Sequence, residues 1–450
     1  MTMEIKNKKS IKAFNSPGLK GTITIPGDKS ISHRALILGS MCIGKTIIKG
    51  LLESEDIFST INALIKFGVD IERKENGDFI VNGVGIGGYL QPDEPIYLGN
   101  SGTSARLLIG LISSCDITVD FLGDESLSSR PMNRIIDPIL RMGAEIIKGD
   151  KSKLPFTVKG SSTPLPIVYE MKIPSAQIKS AIMLSALNIR GETTIIEPVL
   201  TRDHTENLLN IFGGNITITK NNLGHKCIRI NGHKELKSSH IEVPGDPSSA
   251  AFIIVAALIV PGSRVIIKNV MINKTRSIFI DFLIEMGADI TFLSEYQNSG
   301  EKVVDLRVNY SQLHGIDIPP IAAPSMIDEY LIISIAAAYA EGKTLLRGLG
   351  ELRVKESDRF SAIKNILQSA GIKSESFDDD ITIYGNDGSV KGGFSINTNL
   401  DHRVAMSAIV MGLGAEEPIE IDDSSSINTS FSEFFDIIET MGGKIKNNEN

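Results

Sequence analysis

The chain has 450 residues, 42% hydrophobic and 22% charged, with a formal net charge of −8 and a pI near 5.5. That length suits two or three domains or one large repeat-built unit, with a core that needs no disulfide or metal. The acidic balance argues against a nucleic-acid sheath or a membrane-surface protein, and the absence of Trp with few aromatics argues against base-stacking platforms.

Cys42, Cys115 and Cys227 are odd in number and far apart, no Cys pair has metal spacing, and the seven His contain no His-x-x-x-His. They read as buried thiols of a reducing compartment. Residues 1–14 carry lysines but no apolar stretch, so they do not read as a signal peptide, and Glu4 without any Arg fits a transit peptide poorly. The apolar run 250–261 is too short to span a membrane. A cytoplasmic location is expected, and residues 447–450 read as a frayed end.

The first strong element is Ile25-Pro26-Gly27-Asp28-Lys29-Ser30-Ile31-Ser32-His33-Arg34, running on into Ala35-Leu36-Ile37-Leu38. A strand at 22–25 ends at Pro26, which fixes φ, and Gly27, which frees it. Asp28, Ser30 and Ser32 are each suited to cap the helix that follows. Free N–H groups at that helix start, beside Lys29 and Arg34, favour a phosphate or a carboxylate. A capped surface helix with two solvated cations fits the same residues.

Gly39-Ser-Met-Cys-Ile-Gly44-Lys45-Thr46 satisfies the spacing of a nucleotide-binding P-loop. That loop needs a strand before it and a helix after it. Here helical residues precede it and 46–50 reads as strand then turn, so Gly44 is expected to be a helix C-cap and no nucleotide site is expected. The Gly83–Gly88 run is expected to be a loop.

From here two segment types alternate. One is an apolar helix ending at Gly followed by a short strand, with reference glycines Gly68, Gly143, Gly213, Gly287, Gly371 and Gly442 about 70 to 85 residues apart. The other is a Ser/Thr-rich start, a helix of small apolar residues, a Gly turn and a β-branched strand. Its starts are Ser30, Ser101, Ser175, Ser248, Ser325 and the vicinity of Asp401, and its strands 45–49, 117–121, 193–196, 264–268, 344–347 and 419–421. Six copies of one α/β unit are therefore predicted. Pro26-Gly27-Asp28 has an echo at Pro244-Gly245-Asp246. Three repeats per domain then give one domain at 26–245 and another from 1–25 plus 246–450, with a cleft between them and hinge-like crossovers near 26 and 245.

Most polar motifs fall at the starts of repeats. Gly99-Asn100-Ser101-Gly102-Thr103 suits an anion approaching the backbone. Arg130, held extended by Pro131, suits bidentate recognition of a carboxylate or phosphate. Ser175-Ala176-Gln177 offers neutral donors. Thr201-Arg202-Asp203-His204-Thr205-Glu206 is partly explained by a capping box from Asp203 or Thr205. Asp328-Glu329 opens the helix 330–340, and Asp401-His402-Arg403 opens the sixth repeat. In Arg353-Val354-Lys355-Glu356-Ser357-Asp358-Arg359, Lys355 and Arg359 at i,i+4 are expected to share a helix face, where an anion between them offsets their repulsion and Glu356 lies alongside. Folding that gathers these starts makes a cationic cleft in an acidic chain, suited to small, highly charged anions, with carboxylates present for proton transfer.

These motifs resemble those of the 5-enolpyruvylshikimate-3-phosphate (EPSP) synthase family, 3-phosphoshikimate 1-carboxyvinyltransferases, from about Pro26 to Phe435. Asp328-Glu329-Tyr330 and the Thr201–Glu206 motif look like its divergent bacterial branch. The resemblance implies an α/β (α+β) fold, a two-domain inverse α/β barrel of six βαβαββ repeats, and a ligand-driven closure. It implies no cofactor and no essential metal. It implies transfer of the enolpyruvyl group of phosphoenolpyruvate to the 5-hydroxyl of shikimate 3-phosphate. Carried over by motif, Lys29, Ser30 and Arg34 bind shikimate 3-phosphate, with Lys29 also near phosphoenolpyruvate. Ser175, Ala176, Gln177 and Arg202 hold the shikimate phosphate and ring. Asn100, Gly102, Arg130, Arg359 and Arg403 surround phosphoenolpyruvate, and Lys355 bridges the ligands. Asp328 accepts the hydroxyl proton and Glu356 serves the methylene carbon.

Where many members carry a Lys near the C-terminus, this chain reads Asn428-Thr429-Ser430-Phe431-Ser432. The sister family that acts on UDP-N-acetylglucosamine has a loop Cys at the position of Glu125 and an Asn after the lysine that corresponds to Lys29; here Ser30 follows. That transferase and a non-catalytic anion-binding repeat protein are the alternatives. The expected partners are the two small substrates, with no nucleic acid and no membrane, and the chain is expected to be a monomer.

Overall fold

The computed structural model describes residues 10 to 447. The expected frayed end meets a strand, Lys444–Asn447, and residues 448–450 lie outside the described residues, as do residues 1–9 of the segment read as lacking a leader.

Six sheets repeat one plan. In the second repeat Ile96–Tyr97 lies parallel to Thr118–Leu122, which runs antiparallel to Phe156–Lys159, itself antiparallel to Glu145–Gly149. A core helix, Gly102–Ile112, joins the parallel pair, and an outer helix, Asn133–Arg141, leads to the antiparallel pair. The order is βαβαββ. All six outer helices stop in the same way. Gly68, Gly143, Gly213, Gly287, Gly371 and Gly442 each follow the C-cap residue with φ between 69° and 105°, the left-handed turn that an L side chain strains to adopt.

The six core helices are Lys29–Ser40, Gly102–Ile112, Ala176–Leu187, Pro247–Ile259, Tyr330–Tyr339 and His402–Gly414. They are apolar or small nearly all round, and Pro247–Ile259 and Tyr330–Tyr339 are buried at every residue. A helix without a polar face has to sit inside, so the apolar run expected at 250–261 is a core helix. Among the described residues no single helix is long and apolar enough to cross a membrane.

The chain divides into two compact units. One takes Gly27–Pro244 with Gln297–Glu301; the other takes Met1–Pro26, Gly245–Tyr296 and Lys302–Asn450. Each contains three of the six sheets. In the first unit the strands Leu236–Lys237 and His240–Glu242 return to lie parallel to Cys42–Lys49. In the second the chain's opening strands do the closing. Lys20–Thr24 lies parallel to Arg264–Met271, and Ile11–Phe14 fits between Ile419–Ile421 and Lys444–Asn447.

The two Pro-Gly-Asp turns have matching geometry. Asp28 N–H donates to Pro244 O at 2.7 Å, and Asp246 N–H donates to Pro26 O at 2.9 Å. A Cβ on Gly27 would lie 2.0 Å from Gly50 O, and one on Gly245 would lie 2.1 Å from Asn269 O. Only glycine lets the backbones pass so closely.

Some local expectations are corrected. The helix after Lys29 ends at Ser40 with Met41 as its C-cap, and Gly44 lies inside the strand Cys42–Lys49 at φ 98°. The neighbouring strand explains this, because Gly44 pairs with Gly83 in the ladder with Phe79–Val84. Gly83 is thus a strand residue, and the loop begins after Val84. The pattern at 39–46 is a helix-to-strand joint without P-loop geometry. The fifth core helix, Tyr330–Tyr339, begins where expected after Asp328-Glu329, and the Ser325 region ahead of it forms a 3-10 turn and a short helix, Ala323–Met326, shaped by Pro320 and Pro324.

Candidate active site

In the Gly27–Pro244 unit the starts of three core helices are tied into one polar network. Asp28 caps the first by accepting from Ile31 N–H, Ser101 caps the second and Ser175 the third. Lys29 stands at the first position of its helix and pairs with Asp56 at 2.9 Å, both largely shielded. Arg34 is buried. It donates from Nε to Thr205 at 2.7 Å, and from its terminal nitrogens to Ser180 Oγ and Ser30 O, each at 2.8 Å. The alternative of a surface helix with two solvated cations does not hold, because each cation has protein partners.

Asn100 donates to Asp124 at 3.0 Å and accepts from Arg130. Arg130 is buried and extended before Pro131, with φ −79° and ψ 145°. Gly102 leaves room for the guanidinium groups, since a Cβ there would lie 2.8 Å from an Arg106 nitrogen and 3.1 Å from one of Arg130. Arg106 donates to Gln177 Oε1 at 3.0 Å, and Gln177 donates to Thr103 at 3.0 Å. Ser175, Ala176 and Gln177 are half-buried at the third helix start. Arg202 is half-buried just before the helix His204–Ile211.

The capping box expected at 203–206 does not form. Asp203 is the N-cap residue but its side chain makes no cap bond, and Glu206 turns inward to Lys179 at 2.8 Å and Lys226 at 3.0 Å. Burial alone would raise the Glu206 carboxyl, but the two ammonium groups hold it below the usual carboxylate range. Lys226 is held above its ordinary value; burial opposes this, and Glu206 and Glu197 outweigh it.

In the other unit Asp328 is the meeting point. Its Oδ1 accepts from Lys355 Nζ at 3.1 Å and Arg359 at 3.3 Å, and its backbone carbonyl accepts from Arg403 at 3.0 Å. Lys355 and Arg359 do not share a helix face as expected. A 3-10 helix, Gly350–Val354, precedes Lys355, and the α-helix begins only at Arg359. The anion between them is the Asp328 carboxylate. Glu356 pairs with Arg359 at 2.6 Å. Arg359 is buried; burial works against its charge, but Asp401, Glu356 and Asp328 hold its pKa above the ordinary value. Arg403 also lies 3.7 Å from buried Glu329, which accepts from Ser248 at the start of another core helix.

Sequence reasoning missed the groups that hold these cations. Asp56, Ser180, Thr205 and Asp401 supply most of the anchoring, and Arg106 joins the network through Gln177 and the Gly102 carbonyl. A signal existed for two of them: Arg106 lies one turn after Gly102, and Asp401 directly precedes a helix. Where a lysine was sought, Asn428 and Thr429 end a 3-10 helix and Phe431 is buried against Phe434. Among the described residues one group, Asp203, His204 and Glu301, brings metal-type ligand atoms within 4.8 Å of one another. There His204 and Asn207 both bond one Glu301 oxygen, at 2.8 and 3.1 Å, so protein contacts account for it.

The family model for EPSP synthase (3-phosphoshikimate 1-carboxyvinyltransferase) matches residues 15–438. Over 433 residues the chain is 47% identical to the 3-phosphoshikimate 1-carboxyvinyltransferase of Parvibaculum lavamentivorans, covering 96% of each. Over 435 residues it is 49% identical to that of a Pseudomonas species (strain PG2982), covering 96% of this chain and 97% of the relative. The solved EPSP synthase of Acinetobacter baumannii superposes with a TM-score of 0.87 at 40% identity, covering 98% of this chain and all of that one. The enolpyruvyl transferase NikO of Streptomyces tendae shares the fold, with a TM-score of 0.77 at 16% identity over 98% of this chain and 99% of that one. With a family model spanning nearly the whole length, and relatives near half identity end to end, the chain belongs to the EPSP synthase family.

Proposed function

We propose that this chain transfers the carboxyvinyl group of phosphoenolpyruvate to the 5-hydroxyl of shikimate 3-phosphate, giving 5-enolpyruvylshikimate 3-phosphate and phosphate, the shikimate-pathway step toward chorismate and the aromatic amino acids. The observation that carries this reading is a pair of cationic sets gathered around core-helix starts, one with Lys29, Arg34 and Arg130, the other with Lys355, Arg359 and Arg403 around Asp328. Both substrates are small and multiply anionic, which is what helix N-termini backed by guanidinium groups recognise. Family membership favours this reaction over the two alternatives.

The roles are assigned as follows. Arg34, Ser30, Ser175, Ala176, Gln177 and Arg202 hold shikimate 3-phosphate, and Asn100, Gly102, Arg130, Arg359 and Arg403 hold phosphoenolpyruvate. Lys29 and Lys355 reach both. The Asp328 carboxylate takes the proton of the 5-hydroxyl as its oxygen attacks C2 of phosphoenolpyruvate, while a proton from Glu356 reaches the methylene carbon. The tetrahedral intermediate that results keeps every atom of both substrates. It collapses when the C–O bond to phosphate breaks, a methyl proton returns to Glu356, and the departing phosphate carries away the proton that Asp328 had taken. The cations offset the negative charge that collects on the carboxylate and the departing phosphate.

The enzyme acts as a monomer in the cytoplasm, on these two small molecules and without a nucleic-acid or membrane partner. Phosphate release measured with both substrates, with each alone and with UDP-N-acetylglucosamine as acceptor tests the reaction. Turnover is expected only with the matched pair; release with the nucleotide sugar, or none with any pair, overturns it.

A further inference from the structure

Beneath the loop 198–203 four charges are packed together: Lys179 on a core helix, Glu197 at a strand end, Glu206 on the helix His204–Ile211, and Lys226 on the facing strand. Lys179 reaches Glu197 at 3.0 Å and Glu206 at 2.8 Å, and Lys226 reaches Glu206 at 3.0 Å and Glu197 at 3.7 Å. Lys179 and Glu197 are fully buried and Glu206 is 1% exposed. Removing such charges from water is costly, and well-packed apolar residues of the same volume generally serve stability as well or better. A reason other than stability is needed for this quartet.

The loop supplies one. Glu197 Oε1 accepts from Thr201 N–H at 2.8 Å and from the Thr201 hydroxyl at 2.5 Å, and Lys179 donates to Thr201 O at 3.4 Å. Thr201 is thus held at its N–H, its hydroxyl and its carbonyl, and the next residue is Arg202. On the other side of Arg202, Glu206 pins the start of the helix that carries Thr205. Thr205 takes Arg34 Nε at 2.7 Å and shares a hydrogen bond with Ser180 at 2.7 Å. Two arginines assigned to one ligand therefore have their backbone or side-chain anchors set by the same four charges.

We propose that Lys179, Glu197, Glu206 and Lys226 are positioning residues that hold Arg202 through the preceding Thr201, and Arg34 through Thr205, in register for the phosphate of shikimate 3-phosphate. The proposal rests on the reading of Arg202 and Arg34 as ligands of that phosphate. None of the four touches substrate; they act through Thr201 and Thr205.

The test is steady-state kinetics on the whole enzyme with Thr201→Val, Thr201→Ser, Glu197→Gln and Arg202→Ala. Thr201→Val removes one hydrogen bond to the quartet while keeping side-chain volume. It is expected to raise KM for shikimate 3-phosphate about tenfold, with KM for phosphoenolpyruvate and kcat at parent values and Tm lowered by only a few degrees, and Thr201→Ser is expected to restore the parent KM. Glu197→Gln is expected to show the same selective rise; should it fail to fold, the Thr201 pair decides alone. An unchanged KM in Thr201→Val, an equal rise for both substrates, or no rescue by Ser overturns the positioning role. A rise in Arg202→Ala without one in Thr201→Val sinks only the quartet's role. No rise in Arg202→Ala sinks the assignment of Arg202 itself.

Discussion

Asp401 grips Arg359 with both carboxylate oxygens, Oδ2 accepting from Nε at 2.8 Å and Oδ1 from a terminal nitrogen at 3.1 Å. Both side chains are buried, and Asp401 also caps its own helix by accepting from Arg403 N–H at 2.9 Å. One acid thereby fixes two arginines assigned to phosphoenolpyruvate. Asp401→Asn should destabilise the protein by about 3 kcal/mol, because it takes from a buried guanidinium the bidentate member of its three carboxylate partners. KM for phosphoenolpyruvate should rise with it. Denaturant unfolding and substrate titration together check this, and parent-like values in both count against the grip.

Lys29→Met should lower kcat/KM by about a hundredfold or more. Its effect on stability should be small but measurable, about 1 kcal/mol, since Lys29 is 20% exposed and its removal leaves shielded Asp56 without that partner. Turnover at the parent rate in a folded variant refutes the assigned role.

Stability should fall in two steps on acidification. Burial, then the nearby charges of Lys29 and Arg34, hold His33 well below its ordinary pKa, so it stays neutral when folded. A depressed histidine contributes stability above its unfolded pKa of about 6.5 and loses it as pH drops below that value. Asp401, which burial would raise, is held low by Arg359 and His402, and Glu206 is held low by Lys179 and Lys226. Their contributions are complete above the unfolded carboxyl range of about 4 and are lost as pH falls through the depressed folded values. Tm against pH should be flat near 7, decline below about 6.5 and steepen below about 4. Loss of the upper step in His33→Gln assigns it, and an unaltered curve rejects that assignment.

The three thiols should be inert in the folded protein. Burial pushes Cys42 and Cys115 each up to about 12, and Cys227 is also buried. A thiol that stays protonated and shielded is a poor nucleophile. A chromogenic disulfide reagent at pH 8 should report no reaction until denaturant is added, then three equivalents; rapid labelling of the native protein contradicts this.

Gly27→Ala should destabilise by about 1–3 kcal/mol, because the new methyl group meets the Gly50 carbonyl, a backbone atom that cannot rotate away. Equilibrium unfolding of the variant against the parent checks this, and an unchanged or raised midpoint, the sign that a smaller unfolded-state entropy alone would give, counts against the clash.

The repeat was legible because its punctuation is local. A left-handed residue after a helix C-cap almost requires glycine, so Gly68 through Gly442 mark the joints whatever surrounds them. Lys29, Arg130 and Arg403 were legible because they sit at helix starts or before proline, where sequence fixes direction. Asp56 and Thr205 were not, because each answers to a partner 27 or 171 residues away and no local pattern announces it. Gly44 misled for the same reason: its strand pairing with Gly83 is a tertiary fact that overrode a plausible cap. The face-sharing of Lys355 and Arg359 failed because the backbone between them is bent and not helical, lying between a 3-10 helix that ends at Val354 and an α-helix that begins at Arg359.

The strand Ile11–Phe14 finds both its neighbours, Ile419–Ile421 and Lys444–Asn447, at the far end of the chain. During synthesis that strand leaves the ribosome more than four hundred residues before its last partner exists. The unit from Gly27 to Pro244 has nearly all its pairings within its own span and can assemble while translation continues. The sixth sheet is instead the final piece to be sealed, so a stall or truncation shortly before Lys444 should leave a finished first half attached to an open, aggregation-prone second half.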